Sequence, residues 1–312
     1  MEEFVILLDP TCDVSDIDQM KYGLEIIKGH YTTPDGQEHI SKFTWESNEE
    51  RETFFKELKK NVNGFTTSPP NIDECYQVFE KYVLENKPIL VLTISNVLSG
   101  AYGFMKKAEE QLLEKYPTAK IKILDSYRFG SAVTLMGIYA SKMRKEGKKM
   151  EEVYDWLEAN KNRFHQTGWM DDLSFIARKG RITHAKAFFG SMVGVKPVGE
   201  FDYNGMTTVI GKGKGEKQTY KILLEYMARH IENPEEQIIV ISTSNRHPQA
   251  EVFKDMIKER FHPKEIFIND VYPNCGVNIG PGLMAAYYFG KPISQGLVEE
   301  TETFKKILEE LK

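Results

Sequence analysis

Two stretches of the chain carry hydroxyl side chains in settings suited to holding an anion: Thr66-Thr67-Ser68-Pro69-Pro70-Asn71 and Ser95-Asn96-Val97-Leu98-Ser99-Gly100-Ala101-Tyr102. Ser99 reads as the opening of a helix that runs to about Tyr116, which sets its hydroxyl beside the first unpaired backbone N–H groups of that helix. Thr67 would supply a further donor. The same hydroxyls could serve as nucleophiles, but neither Ser95 nor Ser99 stands in a G-x-S-x-G elbow, and no neighbouring histidine supplies a base. Between the two stretches, Asn71 to Glu85 has the spacing of an amphipathic helix and Pro88 to Ile94 is a continuous apolar strand. A loop-helix-strand-loop-helix unit of this kind brings loops to one edge of a parallel sheet, where ligands bind.

Other clusters carry weaker chemistry. Asp9-Pro10-Thr11-Cys12-Asp13 reads as an Asx turn and helix start, because a divalent cation would need oxygen ligands that the sequence does not locate. The seven histidines show no H-E-x-x-H spacing, and Cys12, Cys75 and Cys275 are odd in number with no CxxC, so neither a zinc site nor a disulfide framework is expected. Cys12 and Cys275 both fall in what read as loops after strands. The basic run Arg178 to Lys186 precedes an apolar, small-residue run over Ala187 to Val195. It reads either as a solvated helix end beside a core helix or as a cationic rim over an apolar tunnel. Gly211-Lys212-Gly213-Lys214-Gly215-Glu216-Lys217 lacks the spacing of a P-loop. Asn278-Ile279-Gly280-Pro281-Gly282 reads as a tight turn that starts a helix.

The elements that must position these residues follow from periodicity. Strands are expected over Phe4 to Leu8, Leu24 to Tyr31, Pro88 to Ile94 and Ile121 to Leu124. Helices are expected over Glu49 to Val62, Asn71 to Glu85, Ser99 to Tyr116, Gly130 to Glu146 and Met150 to Arg163. This alternation predicts a mostly parallel α/β domain over residues 1–160. Residues 161–312 read as an α+β domain with a mixed or antiparallel sheet. Its helices are expected at Leu173 to Arg178, Thr183 to Gly190, Glu216 to Ile231, Pro248 to Phe261 and Val298 to Lys312. Extended segments flank Tyr203-Asn204-Gly205, and strands are expected at Gln237 to Ser242 and Glu265 to Ile268. The 312 residues are 41% apolar, and 41 basic against 46 acidic side chains leave a net charge of −5, with no basic surplus for nucleic acid. No apolar run approaches the roughly 20 residues of a membrane span, and no signal-peptide pattern opens the chain, so a cytoplasmic location is expected.

Taken in order, Asp9-x-Thr11-x-Asp13, Thr67-Ser68-x-Pro70, Leu98-Ser99-Gly100-x-Tyr102, Leu124-Asp125-Ser126, Lys179-Gly180-Arg181-Ile182, Val195-Lys196-Pro197 and Gly280-Pro281-Gly282 resemble the signatures of the DegV family of bacterial fatty-acid-binding proteins. The resemblance spans about Phe4 to Tyr288. It implies a ligand tunnel between the two domains that takes a long-chain fatty acid. Thr67 and Ser99 match the family's carboxylate-holding residues. Ser68, Ser95 and Asn278 would lie nearby, with Arg178 and Arg181 on the rim or partner surface. It also implies a substrate carrier rather than an enzyme, without metal or cofactor, serving a separate ATP-dependent fatty acid kinase that converts the carboxylate to an acyl phosphate. The sequence departs from the family where Pro69 replaces a frequent glutamine, Ala101 a frequent threonine and Asn278 a frequent histidine. Lys212 and Lys214 occupy a strand that often carries arginine. The alternatives are a serine-dependent lipid hydrolase or acyltransferase, and a carrier of another amphipathic anion. At about 0.8 kcal/mol per buried methylene, a chain of roughly 16 carbons gains on the order of 12 kcal/mol gross, above an association cost of several kcal/mol.

Overall fold

The structure is a computed structural model that describes residues 3–183 and 194–312. Part of the helix expected over Thr183 to Gly190, and most of the apolar run after it, lie outside the described residues.

In chain order the first half comprises β1 (Val5–Leu8), α1 (Asp16–Tyr22), β2 (Glu25–Ile26), β3 (His30–Thr32), β4 (Glu38–Ile40), α2 (Asn48–Lys60), β5 (Thr66–Ser68), α3 (Ile72–Leu84), β6 (Ile89–Thr93), α4 (Ala101–Lys115), β7 (Ile121–Asp125), α5 (Ser131–Lys145) and α6 (Met150–Asn160). β2, β1, β6 and β7 form a parallel sheet in that order. Every residue of β1 and β6 is buried, as expected of strands covered on both faces. Val5, Leu7, Ile89 and Val91 join the apolar cluster with Phe79 of α3 and Met105 of α4, while Ile6, Leu8, Leu90 and Leu92 join the larger cluster that contains α5. The start of α3 is fixed by a reciprocal cap. Asn71 Oδ1 accepts from the Glu74 N–H at 2.9 Å, and Glu74 Oε2 accepts from the Asn71 N–H at 2.8 Å.

The second half comprises β8 (Phe164–Met170), α7 (Leu173–Arg178), β9 (Ile182–Thr183), β10 (Val195–Phe201), β11 (Thr207–Lys214), α8 (Gly215–His230), β12 (Ile238–Thr243), α9 (His247–Phe261), β13 (Glu265–Asp270), α10 (Pro273–Ile279), β14 (Leu283–Phe289) and α11 (Val298–Glu310). Its mixed sheet runs β13-β12-β14-β8-β10-β11-β9. Helix α5 packs on β1 and β6 with one side and on β12, β14 and β8 with the other. Residues 131–138 are buried without a break, the pattern of a helix with no solvent face. The architecture is thus a parallel α/β layer joined through α5 to a second sheet-plus-helix layer.

Several expectations change. The extended stretch read over Leu24 to Tyr31 is two strands in different sheets. At Gly29 the chain passes so close to its neighbours that a Cβ would lie 2.8 Å from Pro10 Cγ and 2.9 Å from the Ser68 carbonyl oxygen. The stretch containing Thr67 is not a free loop. It is β5, paired antiparallel with β3 in a three-stranded sheet, Tyr31 opposite Thr67. Ser99 does not cap α4. Gly100 does, and Ser99 Oγ accepts the Ala101 N–H at 3.3 Å from one position earlier. The turn at Gly280 ends α10 and leads into β14 instead of starting a helix. Gly280 has φ of +78°, and a Cβ there would meet the Phe175 ring at 2.6 Å. Cys275 is consequently helical, and Ile182–Thr183 is a short strand paired with β11.

Candidate functional site

The segment after β6 is held by a buried carboxylate. Asp9, at the end of β1, accepts the Ile94 N–H at 2.5 Å and, on its other oxygen, the Thr11 N–H at 2.8 Å and hydroxyl at 2.6 Å. Burial raises its carboxyl above the usual range, and these donors oppose the shift. The expected Asx turn is therefore present, and it joins the ends of β1 and β6. Beyond Ile94 the chain turns on Ser95, whose carbonyl accepts the Leu98 N–H at 2.9 Å and the Ser99 N–H at 3.3 Å.

This arrangement places Ser99 in the wall of a cavity of about 170 Å³. Thr67 and Ser68 from β5, Asn278 and Asn274 from α10, and Arg181 after α7 stand in the same wall. Thus Thr67, Ser68, Ser99, Asn278 and Arg181 converge from distant parts of the sequence. Asn278 Nδ2 donates to Thr67 Oγ1 at 3.0 Å and to the Asn274 carbonyl at 3.2 Å. An amide nitrogen can only donate, so the Thr67 oxygen accepts and its own proton is left for another acceptor. The Arg181 guanidinium, exposed at the rim, donates to the Lys179 carbonyl.

Two residues expected near the site do not line the cavity. Ser95 is fully buried beneath the turn joining β10 and β11, where Gly205, with φ of +91°, approaches so closely that a Cβ would lie 2.2 Å from Ser95 Oγ. Arg178 is exposed and outside the wall, whereas Lys179 donates to the Phe65 carbonyl at 2.8 Å and so ties the end of α7 to the approach of β5. Burial lowers the Lys179 ammonium from its ordinary value, with the neighbouring Arg181 adding to the effect.

Sequence reasoning missed Asn274, although its place four residues before Asn278 puts it on the same helix face. Its Nδ2 donates to the His30 carbonyl at 3.2 Å, which fastens α10 to β3. It also missed the environment of Asp13, whose carboxyl is pushed up to about 8 by burial. The Tyr272 N–H, donating at 2.9 Å, and the Cys275 thiol oppose that shift. Burial and then Asp13 push the Cys275 thiol well above its ordinary value, which keeps it out of thiolate chemistry.

The cavity is polar at its mouth and apolar behind. Phe129, Ile176 and Ile279 are shared with a narrow second chamber of about 20 Å³, whose further walls include Gln166, Gly168 and Met170 of β8, Pro197 and Gly199 of β10, and Val209 of β11. Hydroxyl and amide donors facing the apolar side chains of Phe129, Ile176 and Ile279 suit an amphipathic anion. Among the described residues no helix is long and apolar enough to cross a membrane.

A match to the family described as "Uncharacterised protein, DegV family" spans residues 3–291. The chain belongs to the DegV family. A DegV domain-containing protein of Clostridium perfringens is 33% identical over 295 residues, covering 93% of this chain and 98% of the relative. Among solved structures, a DegV family protein from Thermus thermophilus described by its fatty acid binding superposes with a TM-score of 0.81 at 20% identity, covering 92% of this chain and 99% of that one. The Streptococcus pneumoniae fatty acid kinase B3 protein, loaded with linoleic acid, gives 0.77 at 18% identity, covering 92% and 99%. At such identities the likeness is one of fold. The DegV fold is therefore shared across chains whose sequences have diverged widely.

Proposed function

We propose that this DegV family member binds a long-chain fatty acid and presents its carboxylate to a partner ATP-dependent fatty acid kinase in the cytoplasm, with no catalytic step of its own. The carboxylate takes hydrogen bonds from Thr67 and Ser99, with Ser68 and Asn278 beside it. The chain runs past Phe129, Ile176 and Ile279 between a lobe of residues 1–160 and one of residues 161–312. Arg181, with Arg178 further out, faces the partner. The observation that carries this reading is the direction of the Asn278–Thr67 hydrogen bond, which makes Thr67 a donor in a cavity whose apolar residues Phe129, Ile176 and Ile279 also line the second chamber. A buried carboxylate without donors is costly, and donors preset by the fold remove that cost. The proteins from Thermus thermophilus and Streptococcus pneumoniae described above, which bind fatty acid, support the ligand class by analogy.

The test is organic extraction of the purified recombinant protein, with mass spectrometry of what is released and a non-lipid-binding protein from the same host as control. Near-stoichiometric fatty acid is expected. The Thr67→Ala, Ser99→Ala double variant should lose most of its affinity for added fatty acid. A clean extract with no uptake of added acid refutes the function. Adding a fatty acid kinase and ATP and trapping acyl phosphate as hydroxamate tests the partner.

A further inference from the structure

On the side of β8 turned away from the rear chamber lies a fully buried polar cluster. His165 and Glu200 have no exposed surface, and His165 Nδ1 lies 2.8 Å from Glu200 Oε2. His165 Nε2 donates to the Lys291 carbonyl at 2.8 Å, since a carbonyl can only accept. The ring stacks on Tyr288 of β14 at 5.1 Å, and the Tyr226 hydroxyl of α8 donates to Glu200 at 3.2 Å.

The position of the Glu200 carboxylate in the sheet is what matters. β8 and β10 pair antiparallel through only two rungs, Val198 opposite Trp169 and Gly199 opposite Gly168. Continued in register, Phe201 would face Gln166 and the two would exchange backbone hydrogen bonds. Instead both of their N–H groups converge on Glu200 Oε1, at 2.8 Å from Phe201 and 2.7 Å from Gln166. The carboxylate has taken the place of a strand carbonyl, and the ladder stops there. Gly199, one residue before Glu200, and Gln166, one residue after His165, both line the rear chamber. A Cβ on Gly199 would lie 3.5 Å from Thr207 Cγ2 and 3.8 Å from Gln166 Nε2, so the chamber wall beside Glu200 is already in close contact and has little room to give up.

We propose that Glu200, held by His165, is a positioning residue that wedges β8 from β10 and thereby sets how long a chain the rear chamber admits. This rests on the fatty-acid reading above. Without the carboxylate, the Gln166 and Phe201 backbones are free to complete the missing rung, drawing the strands together and narrowing the chamber. The mouth, built from β5, α10 and the segment after β6, is untouched by that movement.

The experiment compares affinities for decanoate and octadecanoate, by displacement of a fluorescent fatty acid, in wild type, Glu200→Ala and Glu200→Gln. In Glu200→Ala the affinity for octadecanoate should fall about tenfold or more, the worth of two buried methylenes, while decanoate stays within about twofold. Glu200→Gln retains an oxygen for both N–H groups and should keep the wild-type ratio. A wild-type ratio in folded Glu200→Ala overturns the proposal. If that variant fails to fold, Glu200→Asp decides. Its shorter reach withdraws the oxygen, so the same selective loss is expected, and an unchanged ratio overturns the wedge. A wild type that takes up neither acid refutes the function itself, and the wedge with it.

Discussion

Asn278 gives the sharpest test of head-group recognition, because one change reverses the polarity of the site. In Asn278→Asp the group facing Thr67 Oγ1 at 3.0 Å becomes an acceptor, so the Thr67 hydroxyl must turn its proton toward the new carboxylate and offer a lone pair to the cavity. A bound fatty-acid carboxylate then loses a charge-assisted donor and meets a second negative charge. Loss of one hydrogen bond to a charged group is worth about 1.5–3 kcal/mol, or roughly a 10- to 150-fold drop in affinity. The like charge adds to it. Titration calorimetry with hexadecanoate and with hexadecanol separates head group from chain. The variant should lose the acid by that factor and hold the alcohol, whose hydroxyl can donate to the exposed lone pair. Asn278→His, with a ring N–H able to donate to Thr67, should bind the acid within a few-fold of wild type. If Asn278→Asp keeps both its Tm and its preference for acid over alcohol, the donor reading of Thr67 is wrong.

Two further outcomes follow from buried groups. Because the Asp13 carboxyl sits at about 8 in the folded protein against 3.8 as its ordinary value, the native state holds more protons between those limits, and stability should fall as pH rises from 4 to 8. Urea denaturation across that range should show this slope, up to about 1.4 kcal/mol per pH unit from this one group, and Asp13→Asn should flatten it. Gly168→Ala should prevent β8 from pairing with β14, since the added Cβ would lie 2.2 Å from the Met284 carbonyl oxygen and 2.5 Å from Ala285 Cβ. We expect insoluble protein or a large loss of Tm, and wild-type melting would contradict the strand packing described.

What the sequence conveyed and what it hid divide along physical lines. β6 and β12 each open on four consecutive apolar residues, and α3, α8 and α9 have amphipathic spacing, so each was legible to within a residue or two. β8, the centre of the second sheet, was not, because Phe164–Met170 carries His165, Gln166 and Thr167 where a buried strand should read apolar. Those polar side chains are satisfied by Glu200, Tyr287 and Tyr288, partners 35 to 121 residues away. β5 was hidden for a related reason. Thr66-Thr67-Ser68 is short and polar, and only its pairing with β3 makes it a strand. Thr67 and Ser99 were visible as hydroxyls, and the fold brings both into one cavity wall, but the donor that orients Thr67 comes from 211 residues along the chain, beyond any local pattern.

Helix α5 carries a consequence for how such a protein can change. Its Ser131 hydroxyl accepts from Ser242 Oγ at 2.6 Å and from Asn269 Nδ2 at 3.2 Å, while its other side rests on β1 and β6. A substitution along this helix is therefore judged twice, once by each sheet, and a residue that suits one neighbour must also suit the other. The beam that joins the two layers is therefore the element least free to change, and a helix that touches only one sheet answers to a single set of neighbours.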